Sequence, residues 1–214
     1  VKCVPSTRCQ RIQRTKHLSK RLKHDSLPVY LGVMLDRSLT FHGHLKKTTS
    51  KVQTHNNLLS KLAGSTWGAN TKTLRSSALA LCYSTAEYCA PVWCRSSHTN
   101  LVDVQLNTAM RTITGTLRPT PLPWLPVLSN IAPPHFRREE ATARLVEKIR
   151  ANPSLPLYAD LFNPPRARLS SRRPVWTSVT NQVTSVAAAW SNDWSKAAVR
   201  NGFLITDPSS TVPG

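Results

Sequence analysis

The sequence predicts a mainly α-helical chain, with a short N-terminal β-hairpin leading into a helical bundle and then further helices separated by prolines. Three observations carry this. Apolar residues between Phe41 and Ile113 recur three and four positions apart, the period of one helix face. β-favouring residues are concentrated in one short run, Val29 to Leu35. The prolines fall mostly after Arg118, where they divide the chain into short segments. At 214 residues there is room for one large or two small domains with a core of their own.

Residues 1–26 form a basic arm with little apolar periodicity. Lys2, Arg8, Arg11, Arg14, Lys16, Lys20, Arg21 and Lys23 are opposed there only by Asp25. Residues 27–40 contain the β-rich run. Val29, Leu31, Val33 and Leu35 alternate with Tyr30, Gly32 and Met34, which reads as a short edge strand with a glycine where a side chain would obstruct. Asp36-Arg37-Ser38 then turns the chain, with Asp36 as a turn-capping carboxylate, and Thr40 is placed to cap the following helix.

Residues 41–116 read as three helices. Phe41, Leu45, Thr48, Val52, His55, Leu59 and Leu62 form one stripe, with Gly64 as its C-cap and Lys46, Lys47, Lys51 and Lys61 facing outward. Asn70 or Thr71 caps a second helix burying Leu74, Ala78, Leu81, Cys82 and Ala86, which Pro91 stops. The third begins near Thr99, buries Val102, Leu106, Ala109 and Ile113, and ends at Gly115. In residues 117–151, a short helix is predicted over 122–128. A longer one runs from Pro134 to about Ala151, with Glu139 and Glu140 early and Lys148 and Arg150 late, as the helix dipole prefers. Residues 152–214 hold a Pro/Arg-rich linker with a helix near 155–162, then one or two amphipathic helices over 175–198 carrying Trp176, Trp190 and Trp194.

Charge narrows the function. Lys and Arg total 29 against 10 Asp and Glu, a formal charge of +19 with a sequence pI near 10.7. Such a surplus points to a polyanion, nucleic acid or an anionic membrane surface. The membrane is the weaker choice, because no apolar run spans a bilayer and no helix joins a strongly basic face to an aromatic one. Up to Leu62 there are thirteen Lys and Arg against two Asp, so the positive field is concentrated in the first third. The five cysteines are odd in number and unlike a secreted framework, which favours a reducing, intracellular compartment.

The run Tyr30-Leu31-Gly32-Val33-x-Leu35-Asp36-x-x-Leu39-Thr40-Phe41 resembles the segment after the palm in reverse transcriptases of jockey- and BovB-like non-LTR retrotransposons. The resemblance continues through Asn56-Asn57-Leu58-Leu59-x-Lys61-Leu62 and Thr66-Trp67-Gly68-Ala69. It is densest from Leu74 to Tyr88, and later includes Pro91-Val92-Trp93, Ile113-Thr114-Gly115, Pro119-Thr120-Pro121-Leu122 and Ile131-Ala132-Pro133-Pro134-x-x-Arg137-Arg138-Glu139. It implies a primer-grip hairpin at 27–40, a helical thumb at 41–116 and a connection region at 117–151. Residues 1–26 then correspond to a divergent end of the palm. The chain opens on Val1-Lys2-Cys3 without an initiator methionine, which fits a piece of a longer reading frame.

The implied partners are an RNA/DNA template–primer and the palm and fingers of the same polyprotein, with no membrane and with nucleus or cytoplasm as location. The implied activity is RNA-directed DNA polymerisation, whose Mg²⁺ serves the intact enzyme; within this chain no cofactor and no catalytic residue are assigned. The nucleic-acid-binding candidates are Tyr30 and Trp67 as stacking aromatics, Gly32 in the hairpin, and Lys46, Lys47, Lys51, Lys61 and Arg75 as phosphate contacts. The other reading is a domesticated or relic, non-enzymatic basic helical module that binds nucleic acid or protein.

Other chemistry finds little support. Polymerases hold Mg²⁺ with paired carboxylates on an aromatic-Ala-Asp-Asp turn. Tyr158-Ala159-Asp160-Leu161 lacks the second Asp and lies downstream of the hairpin, so Asp160 reads as a polar residue on a short helix. Cys82, Cys89, Cys94 and His98 lack the paired spacing of a zinc site, and His42-Gly43-His44 has no third ligand. No Gly-x-Ser-x-Gly elbow and no glycine-rich phosphate loop occur.

Overall fold

The computed structural model describes residues 25–64 and 68–163, together with the paired positions 16–17 and 20–21 and the single helical positions 192 and 195. Most of the basic arm, Trp67 and the Trp-bearing segment after 163 therefore lie outside the described residues. The described chain is mainly helical, with short antiparallel strand pairs preceding the helices.

Strands β1 (Lys16–His17) and β2 (Lys20–Arg21) pair antiparallel, as do β3 (Val29–Tyr30) and β4 (Val33–Met34). In the second ladder Val29 faces Met34 and Tyr30 faces Val33, which leaves Leu31 and Gly32 as a two-residue turn. Both have positive φ, +46° and +82°, as a type I′ hairpin turn requires. The alternating run is thus not one strand from Val29 to Leu35: it folds back at Leu31-Gly32. Val33 enters the core and half-buried Leu35 packs against it, while Tyr30 and Leu31 are 68% and 73% exposed. The Leu35 amide donates to the Pro28 carbonyl at 2.9 Å and closes the hairpin base. Asp36 accepts from the Thr40 amide at 2.7 Å and from its hydroxyl, the turn-capping role expected of it. Thr40 is held by Asp36 and meets the helix only through a long hydrogen bond from the His42 amide, at 3.5 Å; left-handed, buried Phe41 occupies the N-cap position.

Helix α1 (His42–Leu62) buries His44, Leu45, Thr48, Val52, Asn56 and Leu59, close to the predicted stripe. Asn56 takes the place expected of His55, because its amide donates to the Gln105 carbonyl at 2.9 Å and accepts from the Cys82 thiol. A satisfied amide can be buried where apolar patterning finds nothing to bury. The helix stops one residue before the expected Gly64, with Ala63 at the C-cap.

Helix α2 (Thr71–Ala78) is capped by Asn70, whose side chain accepts from the Thr73 amide at 2.8 Å. A π-turn (Leu79–Tyr83) and α3 (Ser84–Ala86) continue it in right-handed conformation. Such an inserted residue rearranges the carbonyl ladder. The Leu81 carbonyl accepts from His55 Nδ1 at 2.9 Å, which fixes the proton on that nitrogen. Cys89, at φ +53°, breaks the path, and α4 (Ala90–Trp93) follows. Pro91 lies in the first turn of α4, so it starts a helix where it was expected only to stop one.

Helix α5 (Asn100–Thr114) buries Val102, Leu106, Ala109, Met110 and Ile113 and ends at left-handed Gly115, as predicted. After it come α6 (Trp124–Ser129), α7 (Pro134–Arg150) and α8 (Pro156–Phe162), whose Asp160 is exposed. Glu139 and Glu140 fall beyond the first turn of α7, so only its C-terminal end, with Lys148 and Arg150, carries the expected dipole pairing.

The main core joins Val33 and Phe41 to the inner faces of α1, α2, α4 and α5. Each fully buried Leu there, such as Leu45, Leu59 or Leu106, contributes about 1.5–3 kcal/mol. Two arginines dock α7 onto this bundle. Arg137 pairs bidentately with Glu87, and Arg138 pairs bidentately with Asp103 while lying over Trp93.

Candidate nucleic-acid interface

Between Asp36 and Glu87 the chain has no carboxylate, and that stretch holds the long helix α1 and the shorter α2. Lys46, Lys47, Lys51 and Lys61 are all exposed. At about 100° per residue they fall within an arc of about 140° opposite the buried stripe. Lys46 and Lys61 are separated along the axis by about 22 Å. On the C-terminal side of this stretch the next two acidic residues, Glu87 and Asp103, are both held by the arginines of α7. The lysine charge therefore has no intramolecular carboxylate to neutralise it on its own helix.

The hairpin turn is tied to this face. The Tyr88 hydroxyl donates to the Leu31 carbonyl at 2.9 Å, across 57 positions of sequence. A Cβ on Gly32 would approach Tyr88 Cε1 to 3.2 Å, so the turn glycine serves both positive φ and close passage of the ring. Between turn, α1 and α3 lies an open groove of about 370 Å³ lined by Gly32, His44, Thr48, Lys51, Ser84, Thr85 and Tyr88. His44 is held below its ordinary value of 6.5, first by burial and then by Lys47 and Lys51. Neutral at pH 7, its Nδ1 faces the Met34 amide at 3.5 Å.

Of the eight sequence candidates, Gly32 and Lys51 share this groove, and Lys47 acts electrostatically on its His44. Tyr30 stands exposed on the adjoining hairpin strand, Lys46 on the same outer face of α1, and Lys61 toward its far end. Arg75 is otherwise engaged: its Nε and Nη2 donate to the Asn130 carbonyl at 3.2 and 2.8 Å, which clasps α2 to the end of α6. Trp67 lies outside the described residues. Sequence reading missed Tyr88, Ser84 and Thr85 as groove residues, since a tyrosine just past a helix carries no pattern that reports a contact 57 positions away.

The groove offers hydroxyls, an imidazole and an ammonium but no carboxylate, a donor set that does not suit Mg²⁺. Among the described residues no three His, Cys, Asp or Glu side chains are grouped to hold a metal ion. No helix among the described residues is long and apolar enough to cross a membrane. No family model, curated protein or solved structure matches this chain.

Proposed function

We propose that this chain provides the primer-grip hairpin, thumb and connection of a non-LTR retrotransposon reverse transcriptase, and that it grips template–primer nucleic acid. One observation carries the reading: the β3–β4 turn, pinned by Tyr88, adjoins the lysine face of a helix pair without carboxylates. Lysines in a row along α1 suit a phosphate backbone, since each phosphate contact releases condensed counterions. The exposed Tyr30 at the hairpin edge supplies a flat face for a sugar or base. The order of short motifs from Tyr30 to Glu139 supports the same assignment.

In this reading RNA-directed DNA polymerisation belongs to the intact enzyme, with palm and fingers of the same polyprotein as partners. Its Mg²⁺ is held by palm carboxylates, and its place of action is the nucleus or cytoplasm. The contribution of this chain is binding, and it has no polymerase activity alone. The test is competition between a recessed-primer RNA/DNA hybrid and each of its single strands, read by fluorescence anisotropy at two salt concentrations. A thumb prefers the hybrid by about tenfold or more, a difference of about 1.4 kcal/mol. Equal affinity for all three, falling together with salt, fits a generic basic module and removes the polymerase assignment.

A further inference from the structure

A second groove, of about 460 Å³, lies on the side of α5 away from the core, against the loop of residues 115–123. Its lining is Val104, Asn107, Thr108, Arg111, Arg118 and Leu122. At about 100° per residue, Val104, Asn107, Thr108 and Arg111 centre opposite the stripe of Val102, Leu106, Ala109 and Ile113 that meets the core. The apolar members are open to solvent: Val104 is 59% exposed, and Leu122 and neighbouring Leu117 are exposed as well. Arg111 is bound into the groove wall, its Nη2 donating to the Thr120 carbonyl at 3.4 Å. Its Nε is shut off from solvent and has no partner among the described residues. Arg118 is exposed beside it.

We infer that this groove is a docking site for an acidic, apolar peptide segment of a partner protein. The chemistry is complementary: exposed Arg118 offers an open guanidinium fork to a carboxylate, beside the positive charge of Arg111, while Val104 and Leu122 take an aliphatic or aromatic side chain. A second copy of this chain is a poor occupant. It carries 10 acidic residues against 29 basic ones, and Glu87, Asp103, Glu140 and Glu147 are already paired with arginines. Nucleic acid is the weaker occupant, because the solvent-exposed Val104 and Leu122 beside Arg118 gain nothing from a phosphate backbone. The inference stands independently of the reverse transcriptase reading.

The test is selection of a displayed random dodecapeptide library on the full chain, with counter-selection on Val104→Glu. Val104 and Arg118 are exposed, so their variants leave the core intact. Retained clones are expected to carry Asp or Glu one or two turns from Leu, Ile or Phe. Arg118→Gln should weaken them about tenfold, the worth of one charge-assisted hydrogen bond. In NMR titrations their shifts should be confined to Val104, Thr108 and Leu122, with α1 unaffected. The inference is overturned if no clone distinguishes wild type from Val104→Glu, or if the retained clones lack acidic residues. Saturable shifts of the Val104 and Leu122 methyls by an RNA/DNA hybrid would likewise overturn it, in favour of a nucleic-acid occupant.

Discussion

Replacing Lys46, Lys47, Lys51 and Lys61 together by Gln tests whether α1 is the helix that meets phosphate. All four side chains are exposed and off the buried stripe, so the fold should tolerate the change, each site within about 0.5 kcal/mol. If each lysine neutralises one phosphate, the slope of log affinity against log salt becomes shallower by about 0.9 per lysine, about 3.6 in all. Between about 50 and about 200 mM salt, that slope corresponds to a share of about 150-fold in the wild-type loss of affinity, which the variant no longer shows. Anisotropy titrations of an RNA/DNA hybrid across that range give the slope directly, with circular dichroism to confirm the helices. Lys148→Gln, on α7, serves as a control that leaves the slope near the wild-type value. A quadruple variant with intact helicity and an unchanged slope would refute the reasoning, and the contacts would have to be sought outside α1.

Further substitutions test the supports of the site. Asp103→Ala strands Arg138, whose side chain is only 7% exposed, and should cost about 2–3 kcal/mol, the lower end for a broken buried pair because Asp103 is partly solvated. Replacing both partners by Leu and Met should recover much of that in urea unfolding, and equal losses for single and double variants would count against a buried pair. Leu31→Asn, at φ +46°, should stabilise the hairpin by about 0.5–1 kcal/mol, whereas Gly32→Ala, at φ +82°, should destabilise it by about 1–2 kcal/mol. Hydrogen exchange of the β3–β4 amides reads both, and shifts of the same sign would sink the turn assignment. His44, with its folded pKa below 6.5, lets the unfolded chain take up the proton first. Its contribution to stability is therefore complete above about pH 6.5 and is lost as pH falls below that value, and His44→Gln should abolish this part of the slope. Parallel stability–pH curves for wild type and His44→Gln would contradict it.

The helical architecture was legible wherever spacing and punctuation agreed. On α5 the three-and-four spacing ran unbroken from Val102 to Ile113 and Gly115 closed it, so both face and end could be read. On α1 the pattern failed at one residue, because burial of Asn56 depends on Gln105 and Cys82 and not on its own polarity. The β3–β4 turn was hidden because Leu31, an unusual residue at positive φ, preserves the alternation where Asn or Gly would have announced a turn. Within the candidate interface, the lysine face followed from counting charges against helical period. The fate of Arg75 did not, since its partner is a backbone carbonyl 55 positions downstream. The pairing of Glu87 and Asp103 with α7 was equally invisible, because Arg137 and Arg138 lie 50 and 35 positions downstream of them.

The central claim is that the hairpin and α1 lie together on a primed duplex. The most direct measurement places a photocrosslinking benzophenone at Tyr30, which is exposed and outside the core, and irradiates the chain with a recessed-primer hybrid labelled on either strand. The account predicts crosslinks to the primer strand confined to a few nucleotides beside its 3′ end, and lost when the four lysines of α1 are replaced by Gln. Crosslinks scattered along both strands, or unaffected by those replacements, would contradict it.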